Sequence, residues 1–235
     1  MAWQHHIADV IVATEKALPN QHLISQNIAN GSAKITQPHP AISIFNFHYA
    51  SPPTAVAGNY ALNKVIGDNE TGFKGTNDTH YRMEAWGFML AGGALYNNLD
   101  YSFIAGFEDG TFVYPAKMPG GGNPDFRRQM KVLKEFIHAF DFIRMKPDRA
   151  IIKGGFPDKA KAYALVEAGR QYAIYLAGGS PANLQIELPA EGYTVEWINT
   201  KTGNIDKREK LRHPGGTATL ASPTYVDDIA LRIVR

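Results

Sequence analysis

Two short runs carry the side chains best suited to chemistry. Residues 67–72, Gly-Asp-Asn-Glu-Thr-Gly, hold the carboxylates Asp68 and Glu70, and residues 46–49 hold Asn46, His48 and Tyr49 around Phe47. A carboxylate at the end of a strand, beside a His-Tyr pair on a neighbouring strand, suits a nucleophile or a general acid/base. The imidazole or the phenol can hydrogen-bond the carboxylate and hold its orientation. The two-residue period of a strand puts Asp68 and Glu70 on one face, and likewise Asn46 and His48. Residues 68–72 read equally as a polar loop with helix-capping residues, and the pattern alone leaves both readings open.

Other candidates are weaker. His5-His6 has no acidic partner at a metal-ligand spacing and reads as solvent-facing, so no metal site is expected. Gly120-Gly121-Gly122 before Asn123-Pro124 offers backbone amides but lacks the Lys-Ser/Thr of a phosphate loop, so it reads as a flexible loop. Glu108-Asp109-Gly110 reads as a turn, and a second catalytic acid there lacks support. Trp86 reads as core or as reaching the site. Tyr172, Tyr175, Tyr193 and Trp197 fall on short strands, where they either stack on sugars or fill a core.

The elements that must position these residues change character along the chain. In residues 1–148 helical patterns alternate with short apolar strands at 22–28, 41–49, 64–70 and 99–104. That order predicts a parallel sheet, and polar residues at the carboxyl ends of such strands are where sites gather. Asp78 or Thr79 is expected to cap a helix from about 80 to 95. Asn123 caps, and Pro124 opens, a helix with a stripe at Phe126, Met130, Leu133, Phe136, Ile137 and Phe140. Residues 149–235 instead hold short strands at 162–167, 171–176, 184–188, 194–199, 218–220 and 229–234, separated by turns such as Thr202-Gly203-Asn204, the signature of an antiparallel sandwich. Ile151 and Phe156 are expected at the seam between the halves.

Composition narrows the function classes. The chain has 235 residues and no cysteine, which excludes a disulfide scaffold, a cysteine nucleophile and a thiolate metal site. Lys and Arg total 24 against 22 Asp and Glu, a formal net charge of +2, unlike a strongly basic nucleic-acid binder. No apolar run is long enough to span a membrane, and the N-terminus lacks signal-peptide character.

The runs NFHYA (46–50), GDNETGF (67–73) and WGFMLAGGALYNNLDYSF (86–103) resemble the second half of a clan A glycoside hydrolase barrel, closest to the apiosidase-like and cellulase-like (β/α)8 proteins. The tail, with AYALVEAGRQYAIYLAGG and YTVEWINTKTG, is similar to the sandwich that follows such barrels, often labelled a putative collagen-binding domain. The resemblance implies an α/β half of a (β/α)8 TIM barrel, strands five to eight, over residues 1–148. An antiparallel β-sandwich would follow over 149–235. It implies retaining O-glycosyl hydrolysis with Glu70 as nucleophile, oriented by His48 or Tyr49. The family spaces that pair as His-x-Tyr; here the two are adjacent, so only one can point into the barrel. Asn46, His48, Tyr49, Asp68, Tyr101, Phe103 and Phe107 are the expected substrate-binding residues. The general acid/base on strand four has no counterpart here, so the isolated chain is expected to be inactive, a fragment, split product or degenerate copy. No cofactor is implied. Expected partners are a polysaccharide or glycoside, and a missing N-terminal barrel half or a second copy, with no nucleic acid and no membrane. The full-length relative is expected to be secreted or periplasmic. The alternative is a non-catalytic carbohydrate- or matrix-binding module carried by the sandwich.

Overall fold

The computed structural model describes residues 2–179 and 181–235. Its first layer is a parallel sheet whose strands run β1 (Ile24–Asn30), β2 (Ile42–His48), β3 (Val65–Glu70) and β4 (Leu95–Tyr96) in spatial order. Helices α1 (Ala2–Glu15), α2 (Thr54–Asn59) and α3 (Asp78–Leu90) precede β1, β3 and β4. Phe45 and Phe47 from β2 and Ile66 from β3 are buried with Val56 of α2 and Phe88 of α3. Ile42 joins the same cluster.

β4 lies earlier than the apolar run at 99–104 suggests. Asn77, not Asp78 or Thr79, caps α3, accepting the His80 amide on its side chain. The helix stops at Leu90, and Gly92 then takes a positive φ of 102°, which a glycine tolerates without strain. That turn frees Leu95–Tyr96 to pair with Gly67 and Asp68. Residues 99–104 fall in the following loop, with isolated bridges from Asp100 to Gly121 and from Ile104 to Phe107. The triple glycine in that loop is packed rather than open: a Cβ on Gly121 would sit 2.1 Å from the Tyr81 ring. Helix α4 (Pro124–His138) begins as its sequence predicts, with Asn123 Oδ1 accepting the Phe126 amide at 2.8 Å.

The rest of the chain is antiparallel. A six-stranded sheet runs β11 (Ile205–His213), β10 (Glu191–Ile198), β13 (Asp228–Val234), β8 (Gln171–Ala177), β7 (Lys161–Glu167) and β5 (Lys146–Pro147). A three-stranded sheet runs β12 (Gly216–Ala221), β9 (Asn183–Leu188) and β6 (Ile152–Gly154). Tyr172, Tyr193 and Trp197 of the large sheet pack with Leu184, Ile186 and Leu220 of the small one in a shared core. Ile151 and Phe156 pack on that core, not at the seam.

The seam is the other face of the large sheet. All seven residues of β8 are buried, because its second face meets α3 and α4. Trp86 lies 5.0 Å from Phe136 and stacks on Tyr175 at 5.4 Å, so it is core and does not reach the site. Arg82 of α3, itself buried, donates to Asp228 Oδ1 at 2.8 Å and to Gln129 Oε1 at 2.7 Å. Tyr175 Oη donates to Asp228 Oδ2 at 3.0 Å.

Candidate active site

Glu70 is the last residue of β3 and pairs in register with His48, the last residue of β2. One step earlier Asp68 pairs with Phe47, so Asn69 is an extra residue on β3, a bulge. Adjacent residues of β2 point to opposite faces, so their partners Asp68 and Glu70 do too. The uninterrupted two-residue period expected for this strand therefore fails at its end.

A second irregularity brings both members of the His-Tyr pair to Glu70. Tyr49 has a left-handed φ of 55°, which turns the chain end back toward the carboxylate. Its amide donates to the Glu70 carbonyl at 2.8 Å. Its phenol donates a short hydrogen bond to Glu70 Oε1. His48 Nδ1 stands 3.6 Å from Glu70 Oε2, while its Nε2 is buried without a hydrogen-bond partner. The strand rule allowed only one of the two inside; bulge and left-handed residue together admit both. The hydrogen bond to Glu70, followed by burial, pushes the Tyr49 phenol up to about 12, so it remains a donor across the neutral range.

Phe73 completes this corner. Its ring lies 5.7 Å from Tyr49, it is 66% exposed, and its φ is 63°. It was not among the expected site residues, and the only sequence signal for it is an aromatic directly after Thr71-Gly72. The Tyr101 ring lies 6.4 Å from that of Tyr114.

The remaining expected residues are placed differently. Asn46 is buried below His48 and donates to Ser25 Oγ at 2.5 Å, tying β2 to β1. A Cβ on Gly67 would stand 2.3 Å from Asn46 Oδ1, which explains the glycine there. Asp68 is 1% exposed and faces α3, so it is set apart from the Glu70 carboxylate. Phe103 and Phe107 lie farther along the loop and are exposed. Arg127 of α4 organises that loop: it donates to Asp100 Oδ2 at 3.0 Å, Ser102 Oγ at 2.8 Å and the Gly110 carbonyl at 2.6 Å, and stacks 4.7 Å over Phe103. Phe107 meets Phe112 edge-on at 5.3 Å.

The carboxyls differ in what they can do. Gly106 N–H holds Glu108 below its ordinary range, and the Thr111 hydroxyl does the same for Asp109, so neither is poised as a neutral acid. Burial, with Glu84 adding to it, pushes Asp68 up to about 7, but Asp68 lies behind the sheet. Among the described residues no group of three or more histidines and carboxylates is arranged to hold a metal ion. No helix is long and apolar enough to cross a membrane among the described residues.

No protein-family model matches the sequence, and no curated protein matches it significantly. Solved structures do match in shape. A structure described as a glycoside hydrolase superposes with a TM-score of 0.69 at 17% identity, covering 96% of this chain and 60% of its own. A glycoside hydrolase family 5 protein from Bacteroides vulgatus gives 0.69 and 17%, covering 96% and 58%. The chain shares its fold with solved glycoside hydrolases. A glucosidase from Croceicoccus marinus is also similar, at a TM-score of 0.51 and 12% identity, covering 97% of this chain and 63% of its own. The chain thus spans about three-fifths of the length of these structures. The fold held in common is TIM-barrel-like in its parallel layer, joined here to antiparallel sheets.

Proposed function

We propose that this chain carries the nucleophile half of a retaining O-glycoside hydrolase. Residues 1–148 are read as strands five to eight of the barrel, and residues 149–235 as the following sandwich. The observation that carries the reading is the Glu70 carboxylate at a strand end, one oxygen held by the Tyr49 phenol and the other facing His48. Fixing one oxygen leaves the second free to attack an anomeric carbon, and retaining hydrolysis needs such a carboxylate. The exposed rings of Phe73, Phe103 and Phe107 supply apolar faces of the kind sugar rings stack on. The acid/base carboxyl is assigned to polypeptide outside these residues, a partner barrel half or a second copy, because Asp68, Glu108 and Asp109 do not suit the role.

The test uses a leaving group that needs no acid. Dinitrophenyl 2-deoxy-2-fluoroglycosides, offered as a panel of pyranosides and furanosides, can glycosylate a nucleophile without protonation of the departing oxygen. Peptide mass mapping should find the sugar on Glu70, and Glu70→Gln should abolish the adduct. A folded wild-type chain that forms no adduct with any of the panel overturns the reading. The alternative, a binding module on the antiparallel sheets, draws less support, since Tyr172, Tyr175, Tyr193 and Trp197 are all buried.

A further inference from the structure

We propose that Asp68 is a positioning residue, which holds Tyr49 and Glu70 in place from behind the sheet through backbone amides and does not touch the sugar. The assignment to a reaction rests on the reading of Glu70 as nucleophile; the holding geometry stands on its own. Asp68 Oδ2 accepts the Ala50 amide at 3.1 Å, and the amides of Glu70 and Tyr49 also act on its carboxylate. These residues are the turned end of β2 and the bulged end of β3, where the regular ladder has broken. One carboxylate thus ties the turned end of β2, one residue past Tyr49, to β3 two residues before Glu70.

Stability alone gives no reason for a carboxylate here. Asp68 Oδ1 is buried with no hydrogen-bond partner, and so is Glu84 Oε2. Both residues line one cavity of about 160 Å³, with His80 of α3 and Lys161 and Tyr163 of β7. Burying a carboxyl with an unmet oxygen beside a second carboxyl is costly, and an apolar side chain of similar size would pack without that cost. What an apolar side chain lacks is the acceptor.

The distinguishing variants are Asp68→Leu, which keeps volume and loses the acceptor, and Asp68→Asn, which keeps an oxygen for the Ala50 amide. The probe is the ring Cζ carbon resonance of Tyr49 at neutral pH, assigned by its loss in Tyr49→Phe. Glu70→Gln marks the position it takes when the carboxylate is gone. The expected result is that Asp68→Leu moves the resonance toward the Glu70→Gln position and Asp68→Asn leaves it near wild type. Adduct formation with the dinitrophenyl probe should slow by about tenfold or more in Asp68→Leu, as expected for a displaced nucleophile, and much less in Asp68→Asn. If Asp68→Leu does not fold, Asp68→Asn decides alone: a resonance at the Glu70→Gln position overturns the proposal. So does a wild-type resonance in folded Asp68→Leu, or rescue by Leu and not by Asn, which is the pattern of a packing role. Should the wild type form no adduct while Asp68→Leu still moves the resonance, the nucleophile reading fails and the holding role stands.

Discussion

A buried carboxyl has a pH signature that a surface one lacks. Asp68 is pushed up from 3.8 to about 7, chiefly by burial, so the folded chain binds this proton more tightly than the unfolded chain. The penalty for ionising it is absent below about pH 4, grows as the pH rises, and is complete above about pH 7. Asp68→Asn removes that penalty. Its melting temperature relative to wild type should therefore climb between pH 4.5 and 7.5, read by circular dichroism in matched buffers. A relative melting temperature that stays flat over the same range would mean that Asp68 is ionised at little cost. Tyr49→Phe belongs to the same scale: it removes the donor to Glu70 Oε1 and should slow adduct formation while leaving the fold intact.

At the scale of elements, the molecule depends on how α3 and α4 lie on the outer face of β8 and β13. Trp86, Phe136, Tyr175 and Ala230 form its apolar part, and Arg82 with Asp228 its ionic part. Arg82→Met leaves the Asp228 carboxylate buried without its main partner. Loss of about 3–5 kcal/mol of stability is expected, the usual result of orphaning a buried charge. Combining it with Asp228→Leu should restore most of that loss, because the apolar pair needs no desolvation of charge. Urea denaturation of the single and double variants checks both, and a double variant as weak as the single would show that the ion pair is itself the main source of stability here. Trp86→Ala should cost about 3–5 kcal/mol for its cavity in the same assay.

The whole molecule carries apolar surface that its own packing does not use. On α1 only Ala8 is buried, while Trp3 is 71% exposed and Ile7, Val10 and Val12 are exposed as well. β1 and β4 end the parallel sheet, without a further partner strand among the described residues. Exposed apolar faces beside free strand edges favour association. Light scattering should find the purified chain larger than a monomer at micromolar concentration, and Trp3→Asp with Val10→Asp should shift it toward monomer. A wild-type chain that stays monomeric removes the case for a second copy. The proposed boundary near residue 148 has its own test. Residues 149–235 alone should retain β-sheet circular dichroism and a cooperative transition, but at a lower temperature than in the full chain. The fragment exposes Tyr175, Ile198 and Ala230 and takes Arg82 away from Asp228.

Local pattern was enough to read much of this protein. Apolar runs and their spacing located β2, β3, β8 and β13, the Asn123-Pro124 start of α4, and Glu70 at the end of a strand. Each depends on residues within a turn or a strand of one another. β11 escaped that reading because it is a charged edge strand, IDKREKLRH, with only Ile205 and Leu211 apolar. Its identity as a strand comes from pairing with β10. Trp86 read ambiguously for a related reason: a helix pattern does not say which sheet covers it. The candidate site was decided last and non-locally. Whether Asp68 and Glu70 share a face, and whether His48 and Tyr49 can both reach Glu70, depends on a bulge at Asn69 and a left-handed Tyr49. A bulge is defined by the partner strand, and a left-handed tyrosine persists only where surrounding contacts hold it. Those contacts form when β2 lies against β3 and α3 closes over Asp68, so only the assembled tertiary structure sets them.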